Sequence, residues 1–248
     1  MRLRLIGVPT SAGAHGAGQE HAPKALRDSG LIESIEIEVV DAGDLPKTPF
    51  RPDIDNRRSQ SIESVVSVAR TVRDVVNQAL VDGDVPLVIG GDCTITLGVV
   101  AGVTAVMPDA KLAYFDGDAD MSTPQTTTSG ILDAMGIAHL LNVEGADPRL
   151  AGLGSGEPLI RGERLALIGF ESSDLEEEHR ALLEDRSVRL FPASELREDL
   201  SAALDGIDHF LGASPRIVHF DVDAVDSTEL PLGDISTPVS PSRRRKRS

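Results

Sequence analysis

The sequence of 248 residues has little aromatic character, with one tyrosine and no tryptophan, and it contains a single cysteine. One cysteine excludes an internal disulfide, and so few aromatic rings argue against a platform for stacking nucleic-acid bases. No run of about 18 apolar residues occurs, and the opening MRLRLIGVPTSAG lacks the apolar segment of a signal peptide. We therefore expect a cytoplasmic protein without a membrane partner.

The charge balance is strongly negative, because 40 Asp and Glu residues outnumber 24 Lys and Arg residues and give a net charge of −16. Such a surface repels a phosphate backbone, so nucleic acid is not an expected partner. Apolar residues make up 40% of the chain, which suffices for one sizeable core. These counts leave a small-molecule enzyme or a binding protein.

Short β-branched runs alternate with helix-like stretches along the chain. Strands are predicted at 3–8, 37–40, 85–89, 111–115, 165–169, 188–190 and 217–220, and helices at 21–29, 61–81, 95–107, 130–142, 174–185 and 194–204. This alternation predicts an α/β fold, a three-layer sandwich with a mainly parallel sheet between helices. Residues 44–56 and 145–163 are predicted surface loops, and residues 1–238 a single domain.

The last ten residues, 239–248, differ from the rest, since five of the final six are Arg or Lys. A solvated, disordered tail is the expected structure. Contact with an anionic surface, an altered reading frame and a truncated end are the alternatives.

Acidic clusters follow three of the predicted strands. The segments are GGDCT at 90–94, DGDAD at 116–120 and HFDVDAVD at 219–226. Ligands bind at the carboxyl ends of parallel strands, and the two glycines predict a tight turn with Asp92 and Cys93 at that rim. Converging carboxylates repel one another unless a cation neutralises them, and oxygen ligands favour hard ions such as Mn²⁺ or Mg²⁺. The alternative is that each motif is only a solvated loop start.

These motifs resemble the three metal signatures of the arginase and agmatinase family, the ureohydrolases, which are GGDHS, DAHxD and SFDVDxxDP. In this chain they stand in the same order as GGDCT, DGDAD and HFDVDAVDS. The resemblance extends over the whole chain, from the opening IGVPTSAGAHGAGQ to LIGFESSDLEEE. It implies an arginase-like sandwich, a homo-oligomer and two Mn²⁺ per subunit. It also implies hydrolysis of a guanidino or linear amidine C–N bond by a hydroxide held between the metals.

The resemblance also implies roles for the matching carboxylates. Asp116 and Asp221 would bridge the two metals, and Asp223 would complete the second ion's shell. Asp120 would bind one ion and hydrogen-bond the hydroxide. Metals and carboxylates would then stabilise the tetrahedral intermediate.

Two histidine ligands of the family are replaced here, by Cys93 and Asp118. Both are expected among the metal ligands, although an inert buried thiol and, less plausibly, a catalytic thiol are alternatives for Cys93. Asp118 makes the site more anionic, which favours hard ions but weakens the activation of water. For His219 a supporting or core role is the main expectation, and partial compensation for the lost ligands the alternative.

The substrate segments depart from arginase as well. Ser122 replaces an Asn, Ser129 is retained, and Asp133 stands where arginases have a histidine that shuttles protons. Asp174 matches a position that helps to bind the amino group of the substrate. We therefore expect Ser122, Ser129 and Asp174 to bind substrate and Asp133 to be catalytic with Asp120. Arginine, agmatine, a guanidino acid, a hydroxyguanidine and formiminoglutamate all remain open as substrates.

The family's last strand and last helix have no counterpart after the third motif, so we expect the sandwich to lack them. An alternative to the hydrolase is therefore an impaired family member with a structural or regulatory role. A third hypothesis is a nucleotide- or phosphate-binding α/β protein that uses Gly90 and Gly91. It is weak, because neither a GxGxxG nor a GxxxxGK[ST] motif is present.

Overall fold

A computed structural model describes residues 1–154, 156 and 158–225. Seven strands alternate with helices along this part of the chain. The strands are β1 Leu3–Val8, β2 Val39–Asp44, β3 Val85–Gly90, β4 Lys111–Phe115, β5 Leu165–Ile168, β6 Arg189–Phe191 and β7 Arg216–Phe220. The helices are α1 Ala22–Asp28, α2 Ile62–Val81, α3 Ile95–Val106, α4 Gly136–Leu140, α5 Pro148–Ala151, α6 Glu177–Asp185, α7 Ala193–Glu198 and α8 Leu200–Leu211. Short 3₁₀ turns lie at Gln19–His21, Asp133–Met135, Gly162–Arg164 and Val222–Ala224.

All strand pairs in the described residues are parallel, as the β/α alternation predicts. The hydrogen bonds form two groups, in the orders β2-β1-β3 and β6-β5-β4-β7. In the second group Tyr114 of β4 lies opposite His219 of β7. The carboxyl ends of these strands therefore meet at one edge, where the predicted acidic clusters begin.

Helices cover both faces of the second strand group. Along β4, Leu112 and Tyr114 belong to the large core shared with α2 and α3, whereas Ala113 packs with Ile207 and Leu211 of α8. Successive residues of a strand point to opposite faces, so this alternation places helices on both sides. The predicted three-layer α/β/α arrangement is confirmed.

Helices α2 and α3 cross at very short distance. A Cβ atom on Gly98 would lie 2.4 Å from the carbonyl oxygen of Ala69. Only glycine allows this approach. The crossing fixes α3, and with it the turn before α3 that carries Cys93.

The predicted helix at 130–142 is corrected, because α4 begins only at Gly136. Gly130 has a φ of +72° and packs against the carbonyl of Arg57. The amide of Asp133 donates to the carbonyl of Gly13. These contacts hold residues 130–132 in a loop and place Asp133, the first residue of the 3₁₀ turn, near the edge of the sheet.

Three further elements differ from the prediction. The helix expected at 194–204 is divided at Asp199, whose carboxylate caps α8 by accepting from the amide of Ala202. The loop expected at 145–163 contains α5, which Asp147 caps and Pro148 begins. The predicted strand at 37–40 runs later, as β2. Capping side chains and tertiary pairing thus set these ends.

No helix in the part of the chain that the structure describes is long and apolar enough to span a membrane. The predicted basic tail at 239–248 lies outside the described residues.

Candidate metal and active site

The turn after β3 brings the first motif to the edge of the sheet. A Cβ atom on Gly91 would lie 1.5 Å from the carbonyl oxygen of Thr10, so no larger residue fits. Cys93 follows half-buried, and its amide donates to Asp133 Oδ1 at 2.6 Å. Its sulfur lies 2.5 Å from Asp221 Oδ2. The close packing of the turn therefore sets where the thiol lies.

The glycine turn predicts Asp92 at the rim, but this prediction is wrong. Asp92 is buried and only 1% exposed. It accepts hydrogen bonds from the amide of Gly13 at 3.0 Å and the amide of Thr94 at 3.2 Å. The hydroxyl of Thr94 donates to it as well. The buried carboxylate of Asp92 accepts the hydrogen bonds of these loop donors. Its role is therefore to support the turn.

The end of β4 carries the second motif. Asp116 is 2% exposed and accepts from the amide of Asp118 at 2.7 Å. Asp120 adopts a φ of +47° and accepts from the hydroxyl of Tyr114 at 2.7 Å. A positive φ is uncommon for aspartate, so the backbone bends here to aim this carboxylate back toward the strand.

The end of β7 carries the third motif. The amide of Asp221 donates to the carbonyl of Phe115 at 2.8 Å, which extends the pairing with β4 by one residue. Asp223 Oδ1 accepts from the amide of Gly117 at 3.0 Å. His219 lies beside Asp116, with 4.0 Å between Nε2 and Asp116 Oδ2.

Four side chains from three elements form one compact group of possible metal ligands. One ligand atom from each of Cys93, Asp116, His219 and Asp221 lies within 4.8 Å of the other three. This set of a sulfur, an imidazole nitrogen and two carboxylates fits one divalent ion.

Burial raises the pKa of several acidic groups at the site. Burial, followed by the charges of Asp120 and Asp223, raises the pKa of Asp116 to about 10. Burial raises the pKa of Asp120 to about 8, although the Tyr114 hydroxyl opposes this. Burial and the nearby carboxylates also raise the pKa of the Cys93 thiol. A bound cation would stabilise the charged form of each group.

The comparison of sequences decides the family. The profile described as the Arginase family matches residues 1–238. The mitochondrial arginase-2 of Homo sapiens is 30% identical over 246 residues, which covers 96% of this chain and 68% of that protein.

The chain belongs to the arginase family.

Solved structures agree with this assignment. The arginase of Bacillus cereus superposes with a TM-score of 0.81 at 26% identity, covering 93% of this chain and 78% of that one. A Trypanosoma cruzi formiminoglutamase solved with Mn²⁺ superposes with a TM-score of 0.68 at 19% identity, covering 92% and 72%. That likeness concerns the fold alone. The arginase-like sandwich predicted from the motifs is confirmed.

Of the six metal ligands that the family resemblance implies, the compact group contains Cys93, Asp116 and Asp221. Asp118 and Asp223 are exposed and lie outside that group, and Asp120 is held by Tyr114. All six lie at the same edge of the sheet. The group is thus a partial site as compared with the two-metal set of the family.

The implied catalytic residue Asp133 lies directly behind Cys93, through the bond to the Cys93 amide. Burial and the charges of Asp92 and Asp120 raise its pKa well above the usual range. The protonated form of this carboxyl is therefore favoured over its charged form.

The implied substrate-binding residues lie on loops. Ser122 is half-buried and its amide donates to the carbonyl of Ala134, whereas Ser129 is exposed and lies 3.3 Å from the Thr127 hydroxyl. Asp174 is exposed and contributes to raising the pKa of Asp118. No contact places Ser122 and Ser129 in the ligand group, so their roles stay predictions.

For His219 a supporting or core role is the main expectation, but a ring nitrogen of His219 belongs to the compact group of possible metal ligands. The signal was present in the sequence, because period-two spacing puts residues 219 and 221 on one face of an extended strand. What the spacing does not give is the ring orientation, which the stacking on Tyr114 sets.

Proposed function

We propose that this protein is a metal-dependent hydrolase that cleaves a C–N bond of a guanidino or linear amidine compound. One observation carries the proposal: in a chain of the arginase family, Asp116 and Asp221 converge with Cys93 at the carboxyl ends of the sheet. A bound divalent ion would supply a water of lowered pKa that attacks the trigonal carbon. The similarity to arginases, among them the human mitochondrial arginase-2, supports this reaction class.

The protein's own groups support the reaction in three ways. Asp116, Cys93 and Asp221 would hold metal, with Asp118, Asp120 and Asp223 as the further carboxylates for the two Mn²⁺ that we expect. The excess of negative charge attracts a cationic guanidinium. Asp133 would donate a proton to the leaving nitrogen, because burial raises the pKa of its carboxyl well above the usual range.

Substrate selection would fall to the loops around the site. Asp174 offers an exposed carboxylate to a substrate amino group, and Ser122 and Ser129 offer hydroxyls. The protein would act as a homo-oligomer, as the family resemblance implies, and in the cytoplasm.

The test is release of urea or ammonia from a panel of substrates by protein reconstituted with Mn²⁺. The panel contains arginine, agmatine, a guanidino acid, a hydroxyguanidine and formiminoglutamate. We expect turnover of at least one compound and a loss of at least about a hundredfold in Asp120→Asn. The exposed variant Asp185→Asn is the matched control. Complete metal uptake without turnover on the panel would refute the proposal.

An impaired family member with a structural or regulatory role is the second candidate. It is favoured by Cys93 and Asp118 in the histidine positions of the family and by Asp118 lying outside the compact group. The double change Cys93→His and Asp118→His separates the two candidates. If the protein is impaired at more than these positions, the double variant gains little or no turnover.

A further inference from the structure

His219 has a ring nitrogen that is buried without a partner in the described residues. Its side chain is 10% exposed, and Nε2 accepts or donates no hydrogen bond there. A buried polar atom without a partner destabilises the folded protein, so it indicates a partner that binds there. Nε2 faces Asp116 Oδ2 at 4.0 Å, and a ring nitrogen of His219 lies within 4.8 Å of a ligand atom of Cys93 and of Asp221. Nε2 therefore points toward Asp116, a member of the compact group of possible metal ligands.

The other ring nitrogen is anchored. Nδ1 lies 2.7 Å from the hydroxyl oxygen of Thr96 on α3, and the ring stacks on Tyr114 with 4.1 Å between centroids. With the proton on Nδ1, donated to Thr96, Nε2 presents its lone pair to the group. Metal-binding histidines are held in this way, by a partner on the nitrogen that does not bind the metal.

Cys93 offers the second soft donor from a different element. Its sulfur lies beside Asp221, and a metal-coordinating thiol loses its proton. The ligand set is thus one thiolate, one imidazole and two carboxylates. Four-coordinate sites with sulfur and nitrogen ligands favour Zn²⁺ and Co²⁺, whereas Mn²⁺ favours oxygen ligands.

We propose that Cys93, His219, Asp116 and Asp221 bind one ion of the zinc and cobalt class, with His219 as a direct ligand and Thr96 as the residue that positions its ring. This proposal rests on the metal dependence in the proposed function but specifies a different ion and a ligand, His219, at the position where the family's third signature has a serine. The site is a mixed sulfur, nitrogen and oxygen centre at the end of β7.

The test is a titration of the full chain, stripped of metal by a chelator, with Co²⁺ in the absence of substrate. We expect one Co²⁺ per chain, near-ultraviolet absorption from charge transfer between the thiolate and cobalt, and a shifted proton resonance from Nδ1–H of a bound imidazole. Zn²⁺ should displace the cobalt, and Mn²⁺ at the same concentration should not.

Variants distinguish the proposed ligands from Thr96, which positions the His219 ring. Cys93→Ser should abolish the charge-transfer absorption, and His219→Gln should weaken Co²⁺ binding at least about tenfold. Thr96→Val should weaken it about 10- to 100-fold and Thr96→Ser should restore it, because only the hydroxyl is needed. His209→Gln, an exposed histidine, is the matched control. Circular dichroism establishes that each variant is folded.

The proposal is overturned if the wild-type protein lacks the charge-transfer absorption, if Mn²⁺ displaces Co²⁺, or if His219→Gln binds as His209→Gln does. The wild-type spectrum decides even where a variant does not fold. Metal binding is measured without turnover, so an inactive protein that binds cobalt refutes the proposed reaction and leaves this site intact.

Discussion

Tyr114 and His219 stack at the carboxyl end of the sheet, with 4.1 Å between ring centroids and 24° between ring planes. They face each other because β4 and β7 pair in parallel register at these two residues. The tyrosine hydroxyl continues the chain of contacts by donating to Asp120 at 2.7 Å. One ring therefore supports a candidate ligand and a candidate catalytic carboxylate together.

Tyr114→Phe removes only the hydroxyl from this arrangement. We expect the free energy of unfolding to fall by about 1–3 kcal/mol, because Asp120 loses a donor in a buried place. The pKa of Asp120 should also rise, since the hydroxyl holds it down. Urea unfolding and carboxyl NMR titration measure the two effects. Thr71→Ala, which removes an exposed hydroxyl bonded to its own helix, should change stability by less than about 0.5 kcal/mol. Equal losses in both variants would contradict the expectation.

Gly91→Ala tests the close approach that positions Cys93. The added methyl would lie 1.5 Å from the Thr10 carbonyl oxygen, so backbone must move. We expect a loss of stability above about 3 kcal/mol or no soluble folded protein. Gly16→Ala is the matched control, because nothing lies within 4 Å of its added Cβ. A thermal unfolding curve for Gly91→Ala that overlies that of Gly16→Ala would show that the turn has room.

Glu20 should make stability depend on pH under acid conditions. The hydroxyl of Ser11 and then the amide of Gly18 lower its pKa from 4.5 to about 2, against the effect of burial. The unfolded chain binds the proton more tightly, so the stabilisation is present above 4.5 and is lost as the pH falls toward about 2.

The measurement is the difference in unfolding free energy between the wild type and Glu20→Gln. It should be largest near about pH 6 and shrink steadily below about pH 4. Glu33→Gln removes the same charge from an exposed position and serves as control. A difference that grows on acidification would have the wrong sign for a lowered pKa.

Metal removal should destabilise the protein, since the carboxylates at the site repel one another. A divalent ion at a hundred times its dissociation constant should add about 2.7 kcal/mol to the unfolding free energy. Chelator should reverse this gain in thermal unfolding. In Asp116→Asn the stability gained from metal binding should be largely lost. Without metal, this variant should be more stable than the wild type without metal, because one buried carboxyl no longer has to take up a proton on folding. Asp185→Asn should retain the full gain.

The sequence predicts most of the fold because the signal is local. Apolar runs such as 85–89 and 111–115 identify β3 and β4, and the 3.6-residue pattern from Ile62 onward identifies α2. The misplaced ends have non-local causes. Gly130 is held by Arg57 far along the chain, and Asp199 divides α7 from α8 through a capping bond that periodicity does not register.

The candidate site could be predicted as a group of strand ends but not as a geometry. The motifs locate Cys93, Asp116 and Asp221, since carboxyl ends of parallel strands share one edge. They do not show that Asp92 turns inward to bind loop amides, or that His219 turns toward Asp116. Those orientations depend on packing between residues distant in sequence.

The contact between Cys93 and Asp221 joins residues 128 positions apart. Pairing of parallel strands over such separations is slow, because the chain loses the entropy of a long loop before the stabilising contacts form. The contact between the thiol and Asp221 can form only after β7 has docked on β4. The chain has a single cysteine. The time at which its thiol stops reacting with a labelling reagent during refolding therefore reports when β7 has joined the second group of strands.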